Sequence, residues 1–292
     1  MLIVCSQIFS TGVGLYLEAA MINHSCQPTS VQTFVNEKLH IRSITDIPKG
    51  GEITISYIDV ARPTTYRRKL LFKTYGFRCQ CILCSISCEE DYWLHSNCKG
   101  HLKQTFESSA SQFMNWKQGQ FSQDLTTDFQ ESIPLPLRRE MVCSYCSQLV
   151  TKTTLDEYAR EIIIACDMLR YVSDGSEKIK ALINAHQTIL KYVSERSYAR
   201  YEVLSSLCVY LISMGMFREA LPFSENLCTL AQHLYPDSHP QVSIFNLQHA
   251  KLLRYVCGDS NAETSRFFEK AYSSLKHSHH SSHKIFAEFQ FL

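Results

Sequence analysis

Cys79-x-Cys81-x-x-Cys84 constrains this chain more than any other stretch. A tight loop turns such closely spaced thiols toward one point, and zinc takes four ligands in a tetrahedron. The triplet therefore predicts a metal-clamped loop whose fourth ligand comes from elsewhere; the alternative is a set of unligated buried cysteines. The chain has 13 cysteines in 292 residues, and their grouping into close pairs and triplets suits thiolate ligands better than a disulfide framework. A reducing compartment, cytoplasmic or nuclear, is the expectation.

Hydrophobic content of 45% with 11% aromatics is enough for a sizeable core in one or two domains. Lys+Arg 29 against Asp+Glu 28 leaves no overall field to draw nucleic acid or an anionic membrane. There is no basic stripe and no two-Cys, two-His finger spacing, so direct sequence-specific nucleic-acid binding is not expected. Residues 1–22 are apolar apart from Glu18, but they lack a positive leading segment and are broken by Ser6, Gln7, Ser10 and Thr11. With no window of roughly 18 apolar residues, a soluble chain without a membrane partner is predicted. Arg67-Arg68-Lys69 reads as a solvated helix face.

The first 60 residues read as β-rich. Val31 to Val35 and Leu39 to Ile44 are strand-like runs around an Asn36-Glu37-Lys38 turn, and Asp46 to Gly51 is a second turn. Ile53, Ile55 and Tyr57 alternate and predict one core-facing strand face. Thr65 to Tyr75 reads as a charged helix. Ser85 to Val150 is Ser/Gln/Asp-rich and weakly periodic, an insert or linker.

Beyond Leu155 the pattern is helical. Leu204, Leu207, Cys208, Leu211 and Ile212 mark one face, and Ala220, Ser224, Leu227, Ala231 and Leu234 mark the next. Gly215 recurs 43 residues on as Gly258, and Ser238-His239-Pro240 recurs loosely as Ser282-His283-Lys284. A helix-pair repeat follows, longer than the standard tetratricopeptide period of about 34.

Asn23-His24-Ser25-Cys26-Gln27-Pro28, then Tyr57 in Ser56-Tyr57-Ile58-Asp59, then the cysteine triplet, resemble in that order the closing half of the SET domain of SET-and-MYND protein-lysine methyltransferases. The resemblance implies an α+β chain: the C-terminal part of a SET β-fold at 1–62, a zinc-binding post-SET segment at 63–86, a cysteine-containing insert or linker at 87–154, and an all-α tetratricopeptide-like helical domain at 155–292. It implies S-adenosyl-L-methionine as cofactor, with Asn23, His24, Tyr57 and Phe77 at its site, Phe77 against the adenine. It makes Tyr57 the catalytic residue and Cys26 the fourth ligand of a zinc held with Cys79, Cys81 and Cys84. The partner is a histone or non-histone protein presenting a lysine, with further partner peptides on the helical domain. Without that context, Asn-His is an ordinary loop dipeptide, Tyr57 a core tyrosine and Phe77 ordinary packing.

His95-x-x-Cys98 and Cys143-x-x-Cys146 have the two-pair layout of a second zinc site, with Cys88 or His101 as substitutes for His95; the other reading is an insert with free thiols. Cys166, Cys208, Cys228 and Cys257 read as small helical core residues. His277-Ser278-His279-His280-Ser281-Ser282-His283 could bind a transition metal but reads more simply as a solvated interhelical turn.

The family's glycine-rich opening strand and MYND module do not precede Gly12-Val13-Gly14-Leu15-Tyr16, and Gly51 stands where the family has an acidic residue. The expectation is a fragment, isoform or truncated gene model, weak or inactive alone. The competing function is a non-catalytic, zinc-stabilised interaction scaffold.

Overall fold

The computed structural model describes residues 2–3, 14–85, 93–104, 140–172, 175–236, 238–258 and 261–290. Gly12, Val13 and Cys88 lie outside the described residues. The chain forms two compact units, Met1–Ser87 with Leu204–Leu292, and Cys88–Val203.

In the first unit, β1 (Leu2–Ile3) pairs antiparallel with β2 (Gly14–Leu15). β3 (Asn23–His24) runs parallel to β6 (Thr54–Ile55), in register Asn23↔Thr54 and His24↔Ile55. β4 (Ser30–Val35) and β5 (Lys38–Ser43) form a hairpin closed by Val35↔Lys38. Its turn falls where the Asn-Glu-Lys break predicted it: Asn36 takes φ 52, a left-handed conformation that asparagine tolerates. Thr29 and Thr54 exchange backbone-to-hydroxyl bonds of 3.1 and 2.9 Å, tying the segment after the Asn-His-Ser-Cys motif to β6.

The alternating Ile53-Ile55-Tyr57 face is corrected. Ile55 is fully buried, Ile53 is 52% exposed, and the strand stops at Ile55. Tyr57 cannot extend the ladder because its N–H donates to the His24 ring, 3.0 Å away, instead of to a backbone carbonyl.

α1 (Thr64–Tyr75) begins after Pro63 and ends at Gly76 in a left-handed cap, which turns the chain toward the cysteine triplet and the single-turn helix α2 (Ile82–Ser85). The Arg67-Arg68-Lys69 stretch is not a solvated face. Arg67 is 5% exposed, and its guanidinium donates to the Val60 and Arg62 carbonyls and to Thr64 Oγ1. A buried guanidinium needs that many acceptors to offset its lost hydration.

The second unit contains β7 (Leu102–Gln104), β8 (Met141–Cys143) and β9 (Leu149–Val150) in one antiparallel sheet, with α3 (Lys152–Tyr171) packed on α4 (Ser176–Tyr192). α5 (Tyr198–Ser213) begins in this unit, and its buried Leu204, Leu207, Cys208 and Leu211 belong to the first.

In the first unit α6 (Phe217–Leu234), α7 (Pro240–Cys257) and α8 (Ala262–Ser278) pack in succession, and a 3-10 turn follows at Lys284–Phe289. The recurrence read from sequence is physical. Gly215 and Gly258 both take positive φ after a helix, and His239 and His283 both cap a helix start through Nδ1, accepting from the N–H two residues on. Among the single cysteines, Cys166, Cys208 and Cys228 are buried, while Cys257 is exposed because it ends α7.

The histidine run is only partly a solvated turn: Ser278 and His279 are buried. Burial, with His283 and Arg42 alongside, holds His279 down at about 4, and Ser278 Oγ lies 2.9 Å from its Nδ1. The folded value lies below the unfolded one, near 6.5, so the unfolded chain takes up the proton first. This contribution is complete above the unfolded value and is lost as pH falls from about 6.5 toward 4, by up to about 3 kcal/mol. Urea titrations at about pH 7 and pH 4.5 are expected to show a smaller acid-induced drop for His279→Gln than for the parent chain. Equal drops would assign the acid sensitivity elsewhere.

Candidate functional site

Four thiols converge where the chain brings the Asn-His-Ser-Cys segment against the cysteine triplet. The Sγ atoms of Cys26, Cys79, Cys81 and Cys84 lie within 4.8 Å of one another, with Cys26 to Cys84 at 3.6 Å and Cys26 to Cys79 at 4.0 Å. Those separations are too long for a disulfide and match the edge of about 3.8 Å that a zinc–thiolate tetrahedron has for Zn–S bonds of about 2.3 Å. Cys26, Cys79 and Cys84 are buried and Cys81 half-buried, so the donor set is closed and of the structural type.

Arg67 reaches this cluster from the first turns of α1. Its Nη2 lies 3.8 Å from Cys84 Sγ, and Arg68 Nη2 donates to the Cys84 carbonyl at 2.9 Å. The hydrogen bond with Cys26 and the Arg67 charge hold the Cys84 thiol down at about 5, whereas the same hydrogen bond pushes Cys26 up and burial pushes Cys79 up to about 11. Of these three, Cys84 is the thiol that most readily reaches the thiolate form a metal requires. Sequence reading missed this role because an Arg-Arg-Lys run on a helix is ordinarily solvated.

His24 connects the thiols to Tyr57. Its Nδ1 accepts from the Tyr57 N–H at 3.0 Å, which places the ring proton on Nε2, 3.3 Å from Cys26 Sγ. Burial, then the Arg67 charge, lowers His24 to about 4, so the ring is neutral at physiological pH.

Around His24 stand Tyr57, Tyr75 and Phe77. Tyr57 lies 4.9 Å from Tyr75 and 6.4 Å from Phe77 between ring centroids, and His24 lies 5.2 Å from Tyr57 and 5.9 Å from Phe77. The Tyr57 hydroxyl donates to the Ile22 carbonyl. Burial, and secondarily Tyr75, raises its pKa, so it is a neutral hydroxyl. Tyr75 was not singled out in the sequence; its position two residues before Phe77, on the other side of the helix-ending Gly76, is the signal that could have found it.

A cleft of about 350 Å³ opens beside this cluster, lined by His24, Ser25, Glu52, Thr54, Phe77 and Arg78 among others. Asn23 is tied to its wall through a 2.6 Å bond from Nδ2 to Glu52, a residue the sequence reading passed over. Tyr57 is not among the residues that line it; its ring lies beside those of His24 and Phe77, which do. Size does not mark the site: a cavity of about 690 Å³, lined by Arg42, Lys276, His280 and Phe286 among others, includes none of these residues.

The second predicted set also comes together: His95, Cys98, Cys143 and Cys146 present donor atoms within 4.8 Å of one another. His101, just before β7 and bridged to Leu94, is not in the set. No helix among the described residues is long and apolar enough to cross a membrane.

A parallel β3–β6 pair carrying Asn-His, a tyrosine just past β6 and a cysteine-clamped tail define a SET-type segment, and residues 5–58 match the SET domain family model. The chain carries part of a SET domain and is related to SET-and-MYND methyltransferases. It is 27% identical over 94% of its length to histone-lysine N-methyltransferase ASHR1 of Arabidopsis thaliana, of which it covers 53%. It is 41% identical over 75 residues to a SET and MYND domain-containing protein of Dictyostelium discoideum, covering 25% of this chain and 22% of that one. It is 38% identical over 79 residues to human histone-lysine N-methyltransferase SMYD3, covering 27% of this chain and 18% of that one. The chain thus spans about half the length of ASHR1.

Proposed function

We propose that this chain belongs to an S-adenosylmethionine-dependent protein-lysine N-methyltransferase, with Tyr57 as its catalytic residue. The observation that carries the reading is the His24 ring, which binds the Tyr57 backbone on one edge and faces Cys26 on the other. The metal cluster, the cofactor edge and the tyrosine are thereby one connected unit.

The cofactor, when bound, supplies an electrophilic methyl on a sulfonium. His24 and Phe77 would hold it from the cleft they line, with Asn23 fixed to the same wall by Glu52. The aromatic group of Tyr57, Tyr75 and Phe77 excludes water from the approaching lysine side chain, and desolvation favours its neutral, nucleophilic amine. The Tyr57 hydroxyl keeps its proton and donates it to Ile22, so its oxygen lone pairs remain to accept an amine N–H and aim the nitrogen lone pair. Cys26, Cys79, Cys81 and Cys84 would hold a zinc that fixes the tail bearing Phe77 against β3 and β6. The substrate is a histone or other protein lysine, in the cytoplasm or nucleus, and the successive helices α6 to α8 are a tetratricopeptide-like surface for partner peptides.

Labelled methyl transfer to a histone or lysate panel by this chain alone is expected to be weak, and Tyr57→Phe should lower what there is by about 100-fold or more while leaving zinc content unchanged. Calorimetry should show cofactor binding weakened by Phe77→Ala. A zinc-loaded chain that neither binds the cofactor nor transfers methyl would move the reading to an interaction scaffold.

A further inference from the structure

The stretch between α2 and α3 carries chemistry that methyl transfer does not use. His95-Ser96-Asn97-Cys98-Lys99-Gly100 and Cys143-Ser144-Tyr145-Cys146-Ser147-Gln148 share in sequence their ligand spacing and a serine at the second position. In space they are two copies of one loop. In each, the N–H of the fifth residue donates to the carbonyl of the first, Lys99 to His95 at 2.8 Å and Ser147 to Cys143 at 3.0 Å. In each, the N–H of the first donates to the carbonyl of the sixth, His95 to Gly100 at 2.9 Å and Cys143 to Gln148 at 3.0 Å. In each, the fifth residue takes positive φ, 60° at Lys99 and 58° at Ser147, and Asn36 is the one other non-glycine residue among those described to do so.

Positive φ at lysine or serine costs free energy and persists where the surroundings dictate the backbone. Here it rolls each loop so that its first and fourth side chains point the same way. His95 Nδ1 lies 3.2 Å from both Cys98 Sγ and Cys146 Sγ, and Cys98 Sγ lies 3.4 Å from Cys143 Sγ. The loops meet at Gly100, where any Cβ would sit 2.5 Å from Cys143 Sγ and 2.6 Å from Tyr145 Cβ. The pairing Leu102↔Cys143 in β7–β8 brings the two loops together across the 42 residues between Gly100 and Cys143.

We propose that His95, Cys98, Cys143 and Cys146 bind one structural zinc, presented by two equivalent loops, and that this ion folds residues 93–104 and 140–150 into a zinc ribbon. Four protein donors close the coordination sphere, so the ion is structural, with no open position for substrate. The ribbon is seated on the neighbouring helices: Leu94 N–H donates to the Tyr192 carbonyl at 2.8 Å, Lys99 Nζ donates to the Lys191 carbonyl at 2.9 Å, and Trp93 is 3% exposed.

Elemental analysis of the purified chain should give two zinc per chain, and Cys143→Ser with Cys146→Ser should give one. Trp93 fluorescence should shift on chelation. Should the double serine variant not fold, His95→Cys tests the same assignment. It should keep both ions and, after cobalt exchange with Cys79→Ser and Cys81→Ser blocking the other cluster, should move the visible bands from a three-thiolate to a four-thiolate pattern. One zinc in the parent chain that survives in the double serine variant would overturn the site. An unshifted cobalt spectrum for His95→Cys would overturn the ligand set.

Discussion

Replacing Cys84 by serine is expected to remove one zinc equivalent and to unfold the tail from Phe77 to Ser85 off β3 and β6. Cys84 is 1% exposed, its thiol faces Cys26 at 3.6 Å and the Arg67 guanidinium at 3.8 Å, and no water can take the place of a lost ligand without opening the core. A structural zinc of this kind contributes on the order of 10–16 kcal/mol of apparent free energy, more than the net stability of an ordinary domain. Cys228→Ser is the matched control: Cys228 is equally buried, with a thiol that burial raises to about 12, but it stands alone on α6. It should cost only about 1–3 kcal/mol, the price of placing a hydroxyl in an apolar site. Zinc content and thermal midpoint, measured on both variants, decide the matter. A Cys84→Ser chain that keeps its zinc and melts beside Cys228→Ser would remove the metal from the account of this fold.

The legible parts of the molecule are those where local chemistry leaves one solution. Three cysteines in six residues found their partner because thiols so close must share a point, and the Asn36 turn was visible because asparagine tolerates positive φ. The repeat of Gly215 and His239 as Gly258 and His283 survived because a helix stop and a helix cap are set by single residues. What stayed hidden depends on contacts between distant segments. Ile53 and Tyr57 broke the expected alternation because the His24 ring, 33 positions before Tyr57, captures a backbone N–H. The strands of the ribbon are two or three residues long, too short to show an alternating pattern, although Leu102, Met141 and Val150 are buried. Arg67 looked like a surface charge because nothing in its own helix announces the thiol cluster beneath it.

Arg67→Met carries the second large effect, and it separates charge from packing at the four-thiol cluster. Methionine fills similar volume, but the Val60 and Arg62 carbonyls and Thr64 Oγ1 lose their donor, and the four thiolates lose the cation beside Cys84. Four thiolates with one zinc carry two net negative charges, and among the described residues Arg67 is the buried cation that meets them. Removing one side of a buried charge arrangement costs about 3–5 kcal/mol, so the variant should unfold at markedly lower urea and release zinc faster to a thiol reagent. Arg67→Lys restores charge without the forked donors and should recover zinc retention more than stability, because one ammonium cannot serve three acceptors and a sulfur at once. Arg68→Met removes one hydrogen bond, to the Cys84 carbonyl, and should cost about 1 kcal/mol. If Arg67→Met releases zinc no faster than Arg68→Met, the guanidinium braces the Val60–Thr64 turn alone, and the thiolates balance their charge without it.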